Sequence, residues 1–70
     1  MKTIDIRNPD GNVFCILGIA RNFQDQLKLE KIVNKELDFV LSYFSNMEYD
    51  EILDKLEKSK LFKFVGREEA

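Results

Sequence analysis

The sequence predicts a small α+β domain, mostly α: a short N-terminal strand, three helices, and a C-terminal strand that pairs with the first. Three observations carry this. Apolar and polar residues alternate in KTIDIR at the start and again in KLFKFVG near the end. Between them, apolar residues recur at helical spacing over three stretches.

In KTIDIR, Ile4 and Ile6 face one way and Thr3, Asp5 and Arg7 the other, as a half-buried strand requires. NPDG then turns the chain. Pro9 presets the first central angle, Asn8 and Asp10 bond to the local backbone, and Gly11 tolerates a positive φ.

Residues 12–20 leave two readings open. Val13, Phe14, Cys15 and Ile16 suit a strand, so IDIRNPDGNVFCI reads as a hairpin with a bulge at Gly11. Alternatively a helix starts near Asn12, capped by Asp10 or Asn12. Val13, Ile16, Ala20, Phe23 and Leu27 then form one stripe that runs well past the apolar segment, and this periodicity favours the helix. Gly18 would cost that helix about 1 kcal/mol relative to alanine, a cost explained if another backbone packs closely there.

A second stripe joins Leu29, Val33, Leu37, Val40 and Phe44, with Ile32, Leu41 and Tyr43 widening it. No Gly or Pro separates this helix from the one before, so the junction is placed near Asp25 to Lys28 only by pattern. Ser45 followed by Glu48 has the form of a capping box, ahead of a third helix with Tyr49, Ile52, Leu53 and Leu56 inside and an end near Lys58. In KLFKFVG, Phe62 and Phe64 share one face with Lys63 between them. Residues 1–66 read as one domain and residues 67–70 as a disordered tail.

Composition narrows the chemistry. A chain of 70 residues buries only about 60% of its unfolded surface, so its stability margin is thin. One cysteine, Cys15, permits no internal disulfide, and without histidine there is no Cys/His zinc site and no His-based nucleophilic arrangement. Cys15 lies between Phe14 and Ile16, a setting that suits a buried, inert thiol. The net charge of −2 argues against nucleic acid as a partner. MKTIDIR lacks the apolar run of a signal peptide and no stretch is long enough to span a bilayer, so a cytoplasmic protein with no membrane partner is expected.

The residues Pro9, Asp10, Gly11, Asn12, Phe14, Leu17 and Gly18, followed later by Tyr49, Asp50 and Leu53, resemble a pattern in small uncharacterised proteins of bacteriophages and other mobile elements. Those proteins carry a PDGN-A-F-x-x-L-G opening and a D-Y-D-x-L-L segment. Val13 stands in place of the alanine and Glu48 in place of the aspartate. The resemblance implies a phage-type accessory protein, attaches no activity to it, and agrees with a helical reading of residues 12–20.

Two functional readings follow. Phe39, Tyr43 and Phe44 make the second helix more apolar than one stripe needs, which points to a non-catalytic protein-interaction module. Phe39 and Tyr43 are its candidate anchors, with a host or phage protein or a second copy in a homodimer as partner. The alternative is a binder of small anionic ligands, phosphate or nucleotide. It would use the backbone N–H groups of Gly11, Asn12 and Val13 at a helix start, with Arg7 as helper. Asp10 opposes that reading, and neither a P-loop nor a dinucleotide fingerprint is present. Asp50, Glu51 and Asp54 offer carboxylates, but acids in a first helical turn complement the helix dipole, and Glu51 can pair with Lys55. No catalytic residue, metal or cofactor is expected.

Overall fold

A computed structural model describes residues 1–67. Two strands and three α-helices follow in the order β1 (Lys2–Asp5), α1 (Val13–Leu29), α2 (Lys35–Tyr43), α3 (Tyr49–Lys58) and β2 (Phe62–Val65). The terminal strands pair as expected, and they do so in parallel, with Ile4 opposite Phe64 and Lys2 opposite Phe62. Parallel neighbours need a long crossover, and here the three helices together supply it.

Alternation decides which face of the two-stranded sheet is covered. Ile4, Phe62 and Phe64 are buried beneath the helices, whereas Thr3 and Lys63 on the other face are exposed to solvent. The core adds Ile16, Leu17 and Ala20 from α1, Leu37 and Val40 from α2, and Ile52, Leu53 and Leu56 from α3. Phe62 sits at its centre. Its ring meets Phe23 edge-on at 5.3 Å and stacks with Phe64 at 5.5 Å.

Residues 13–29 are helix, not the second arm of a hairpin. The anticipated stripe is the inner face, with Ile16 and Ala20 fully buried and Val13, Phe23 and Leu27 packed around them. Asn12 is the cap, its side-chain oxygen accepting from the Phe14 N–H at 2.8 Å. Cys15 departs from expectation: it is exposed, because it lies about 100° around the helix from Ile16.

Neither helix-side glycine is explained as anticipated. Gly11 is not at positive φ. It is buried against the preceding strand exit, where an added Cβ would stand 2.5 Å from the Ile6 Cα and 2.7 Å from its carbonyl carbon. Gly18 has no close neighbour, since a Cβ there meets nothing within 4 Å.

The junction of α1 and α2 falls later than the pattern suggests. α1 runs to Leu29, and Lys31 then adopts φ 59°. Its N–H donates to the Lys28 carbonyl (3.1 Å) and the Ile32 N–H to the Leu27 carbonyl (2.9 Å), a Schellman closure without glycine. Leu29, Ile32 and Val33 are therefore outside α2 and exposed.

Asn34 ties the next two helices together. Its side-chain oxygen accepts from the Leu37 N–H (3.1 Å), capping α2, while its amide nitrogen donates to the Ser59 carbonyl at the end of α3 (3.0 Å). Ser59, a polar residue buried within the core, donates its hydroxyl to the Leu56 carbonyl and accepts from the Leu61 N–H at 3.2 Å. Lys60 follows at φ 66°.

α3 opens with a capping box three residues on from the anticipated pair. Glu51, not Ser45, partners Glu48, its carboxylate accepting from the Glu48 N–H at 2.8 Å. Ser45 lies instead in a short 3₁₀ turn, Phe44–Asn46, that ends α2. Arg67, assigned from sequence to a disordered tail, is held on α3 by Glu57 (2.7 Å) and Asp54 (2.8 Å); residues 68–70 of that tail lie outside the described residues.

Two sets of substitutions test these contacts. Gly18→Ala should raise stability by about 0.5–1 kcal/mol from helix propensity alone, while Gly11→Ala should lower it because the Ile6 backbone must move. Chemical denaturation reads both; a Gly18→Ala protein no more stable than the parent would mean the site is not open helix. Asn34→Asp keeps the α2 cap but sets an acceptor against the Ser59 carbonyl, so it should cost about 1–2 kcal/mol although it conserves the cap.

Candidate functional site

Two exposed regions differ in character: the turn before α1, and the groove between α2 and α3. Pro9–Gly11 form a single 3₁₀ turn leading into Asn12. The turn spends its own donors, the Gly11 N–H on the Asn8 carbonyl (2.9 Å) and the Asn12 N–H on the Pro9 carbonyl (3.1 Å). Val13 is the first residue of α1. Arg7 is committed to Asp5, with Nε 2.9 Å from Oδ1 and Nη2 2.8 Å from Oδ2. The turn is also locked from above: the Tyr49 hydroxyl donates to the Gly11 carbonyl at 2.5 Å. Burial, reinforced by Asp50 and opposed by Arg67, raises the Tyr49 pKa and keeps the phenol a donor.

The second region is a groove of about 670 Å³. One bank is the outer side of α2, where Phe39 and Tyr43 stand one turn apart with ring centroids 4.9 Å from each other and planes tilted by 48°. They remain 42% and 52% exposed because Leu37 and Val40 already fill the inward side of α2. The other bank is the solvent face of α3, carrying Glu51, Asp54, Lys55 and Lys58, with Met47 at one end.

Lys55 links the banks. Its ammonium lies 4.9 Å from the Phe39 ring centroid and 3.6 Å from a Glu36 carboxylate oxygen, so Glu36 on α2 takes the pairing that Glu51 could have taken along α3. Along the adjoining flank of α3, Arg67 draws Asp54 and Glu57 together and reaches Asp50 at 4.0 Å. Asp50 and Asp54 thus serve a guanidinium. Among the described residues, no three His, Cys, Asp or Glu side chains are grouped to hold a metal ion. Nor is any described helix long and apolar enough to cross a membrane.

Phe14 extends the apolar surface. It is 74% exposed beside a second hollow of about 370 Å³, lined also by Phe44, Met47 and Tyr49. The signal was in the sequence: on a helix whose inner stripe is Val13, Ile16 and Ala20, Phe14 points away. Met47 borders both hollows. The two candidate anchors, Phe39 and Tyr43, are therefore brought together at one groove, while Arg7, Gly11, Asn12 and Val13 are spread along a turn whose polar groups are largely paired.

The Asp5–Arg7 pair has a measurable signature. Hydrogen bonds from the Arg7 side chain and then from its backbone N–H hold the Asp5 pKa at about 2, below its ordinary 3.8. A carboxyl depressed by folding stabilises the fold above its unfolded value and loses that contribution as pH falls through its folded one. The gap in urea midpoint between the parent and Asp5→Asn should therefore close as pH falls from about 4 to about 2. A gap unchanged over that range would show that the pair does not stabilise the fold.

No protein-family profile matches the chain, and no curated protein or solved structure matches it.

Proposed function

We propose that the chain is a non-catalytic protein-interaction module that binds its partner through the α2–α3 groove. The observation that carries this reading is the Phe39–Tyr43 pair: two large aromatic rings, in contact with each other, left open to solvent beside a groove in so small a protein. The resemblance in PDGNVFCILG and EYDEIL supports a phage-type accessory role, acting on a host or phage protein. A sequence without histidine supports a binding role over acid–base or nucleophilic catalysis.

The anionic-ligand reading draws less support. Arg7 already has a carboxylate partner, and the Gly11 and Asn12 N–H groups already have carbonyl ones. An incoming phosphate would have to displace them.

Native mass spectrometry of the protein, alone and in cell lysate, tests the interaction reading. A complex formed by the parent should weaken at least about tenfold in Phe39→Ala and in Tyr43→Ala, with helical content unchanged by circular dichroism. Complexes indifferent to both substitutions, or none at all, would overturn it. Retention of a small anion lost on Arg7→Ala would favour the alternative.

A further inference from the structure

The solvent face of α3 carries an ordered charge pattern. Glu51, Asp54, Lys55 and Lys58 all fall within about 100° of arc, opposite the buried Ile52, Leu53 and Leu56. Along the axis the order is acid, acid, base, base. Turned end for end about the midpoint between Asp54 and Lys55, the helix lays Lys58 over Glu51 and Lys55 over Asp54. The face is complementary to its own antiparallel copy and repulsive to a parallel one. A twofold interface requires such a self-complementary patch.

We infer that the occupant of the groove is a second copy of the chain, packed about a twofold axis between Asp54 and Lys55 with the two α3 helices antiparallel. This rests on the interaction reading of the same groove and names its partner. Four ion pairs then cross the seam: two of Glu51 with Lys58 and two of Asp54 with Lys55. Their local partners leave room for them: Lys55 meets the Glu36 carboxylate only at 3.6 Å and its ammonium has three donors. The Glu51 and Asp54 carboxylates each have a second oxygen beyond the one held by the Glu48 N–H or by Arg67. Lys58 has no ion-pair partner among the described residues. Phe39, Tyr43 and Met47 flank the charged strip and supply the apolar part of the interface, while the charges fix register and orientation. The need for added burial is general to a domain of this length with no internal disulfide.

Sedimentation velocity on the full chain decides the matter. The parent should dimerise at submillimolar concentration. Lys58→Glu and Glu51→Lys should each weaken self-association at least about tenfold, because each sets like charges against one another twice across the axis. Mixed in equal amounts, the two variants should form a heterodimer, since every outer pair is then again acid with base. Should Glu51→Lys fail to fold for loss of its cap, Asp54→Lys mixed with Lys55→Glu applies the same test to the inner pairs. A parent monomeric at all these concentrations overturns the proposal, as does a dimer unmoved by Lys58→Glu, or variants that gain nothing from mixing. A monomer that still makes a Phe39-dependent complex with another protein rejects the homodimer and keeps the interaction reading. Loss of both rejects both.

Discussion

Lys2–Asp5 and Phe62–Val65, near opposite ends of the chain, lie side by side and run the same way. That parallel pairing constrains everything between. Two strands alone have no stability in water, and a parallel pair cannot be closed by a hairpin. The intervening chain must leave one end of the sheet and re-enter at the opposite end, and α1, α2 and α3 span that distance while covering the face that holds Ile4, Phe62 and Phe64. The backbone joins where the strands begin and where they part: the Lys2 N–H on the Leu61 carbonyl (2.8 Å), and the Ile6 N–H on the Val65 carbonyl (3.1 Å).

The route back requires sharp helix ends, and polar side chains with two uses provide them. Asn34 starts α2 and holds the end of α3 in the same stroke. Ser59 satisfies the Leu56 carbonyl and the Leu61 N–H just before β2. Lys31 and Lys60 take the left-handed conformation that glycine usually fills, at some cost in backbone energy. Among the described residues no buried side-chain polar atom lacks a partner, the Ser59 hydroxyl included.

The same economy shapes the surface. With Leu37 and Val40 inward, a nine-residue α2 has no room to bury Phe39 and Tyr43 as well. α3 likewise turns its three apolar residues inward and leaves four charges on the groove. The aromatic bank and the charged bank thus arise from one packing decision, which makes the groove both apolar and directional.

Periodicity alone gave most of the element types and most of the core, favouring a helix over a strand for residues 12–20: alternation in TIDI and LFKF, the Ile16–Ala20–Phe23–Leu27 stripe, and Ile52, Leu53 and Leu56. It also singled out Phe39 and Tyr43, since a helix with two apolar sides leaves one of them unburied. The end of α3 near Lys58 was legible, but the α1–α2 junction was not, because Lys31 carries no trace of its backbone angle, and Ser45 matched a capping pattern that Glu48 and Glu51 fulfil in space. Tertiary structure alone decided that the strands are parallel and that Gly11 is needed for contact with Ile6 rather than for φ. It also decided that Arg67 gathers Asp54 and Glu57. Each depends on which distant residue arrives alongside, a property of the packed chain that neighbouring residues in the sequence do not encode.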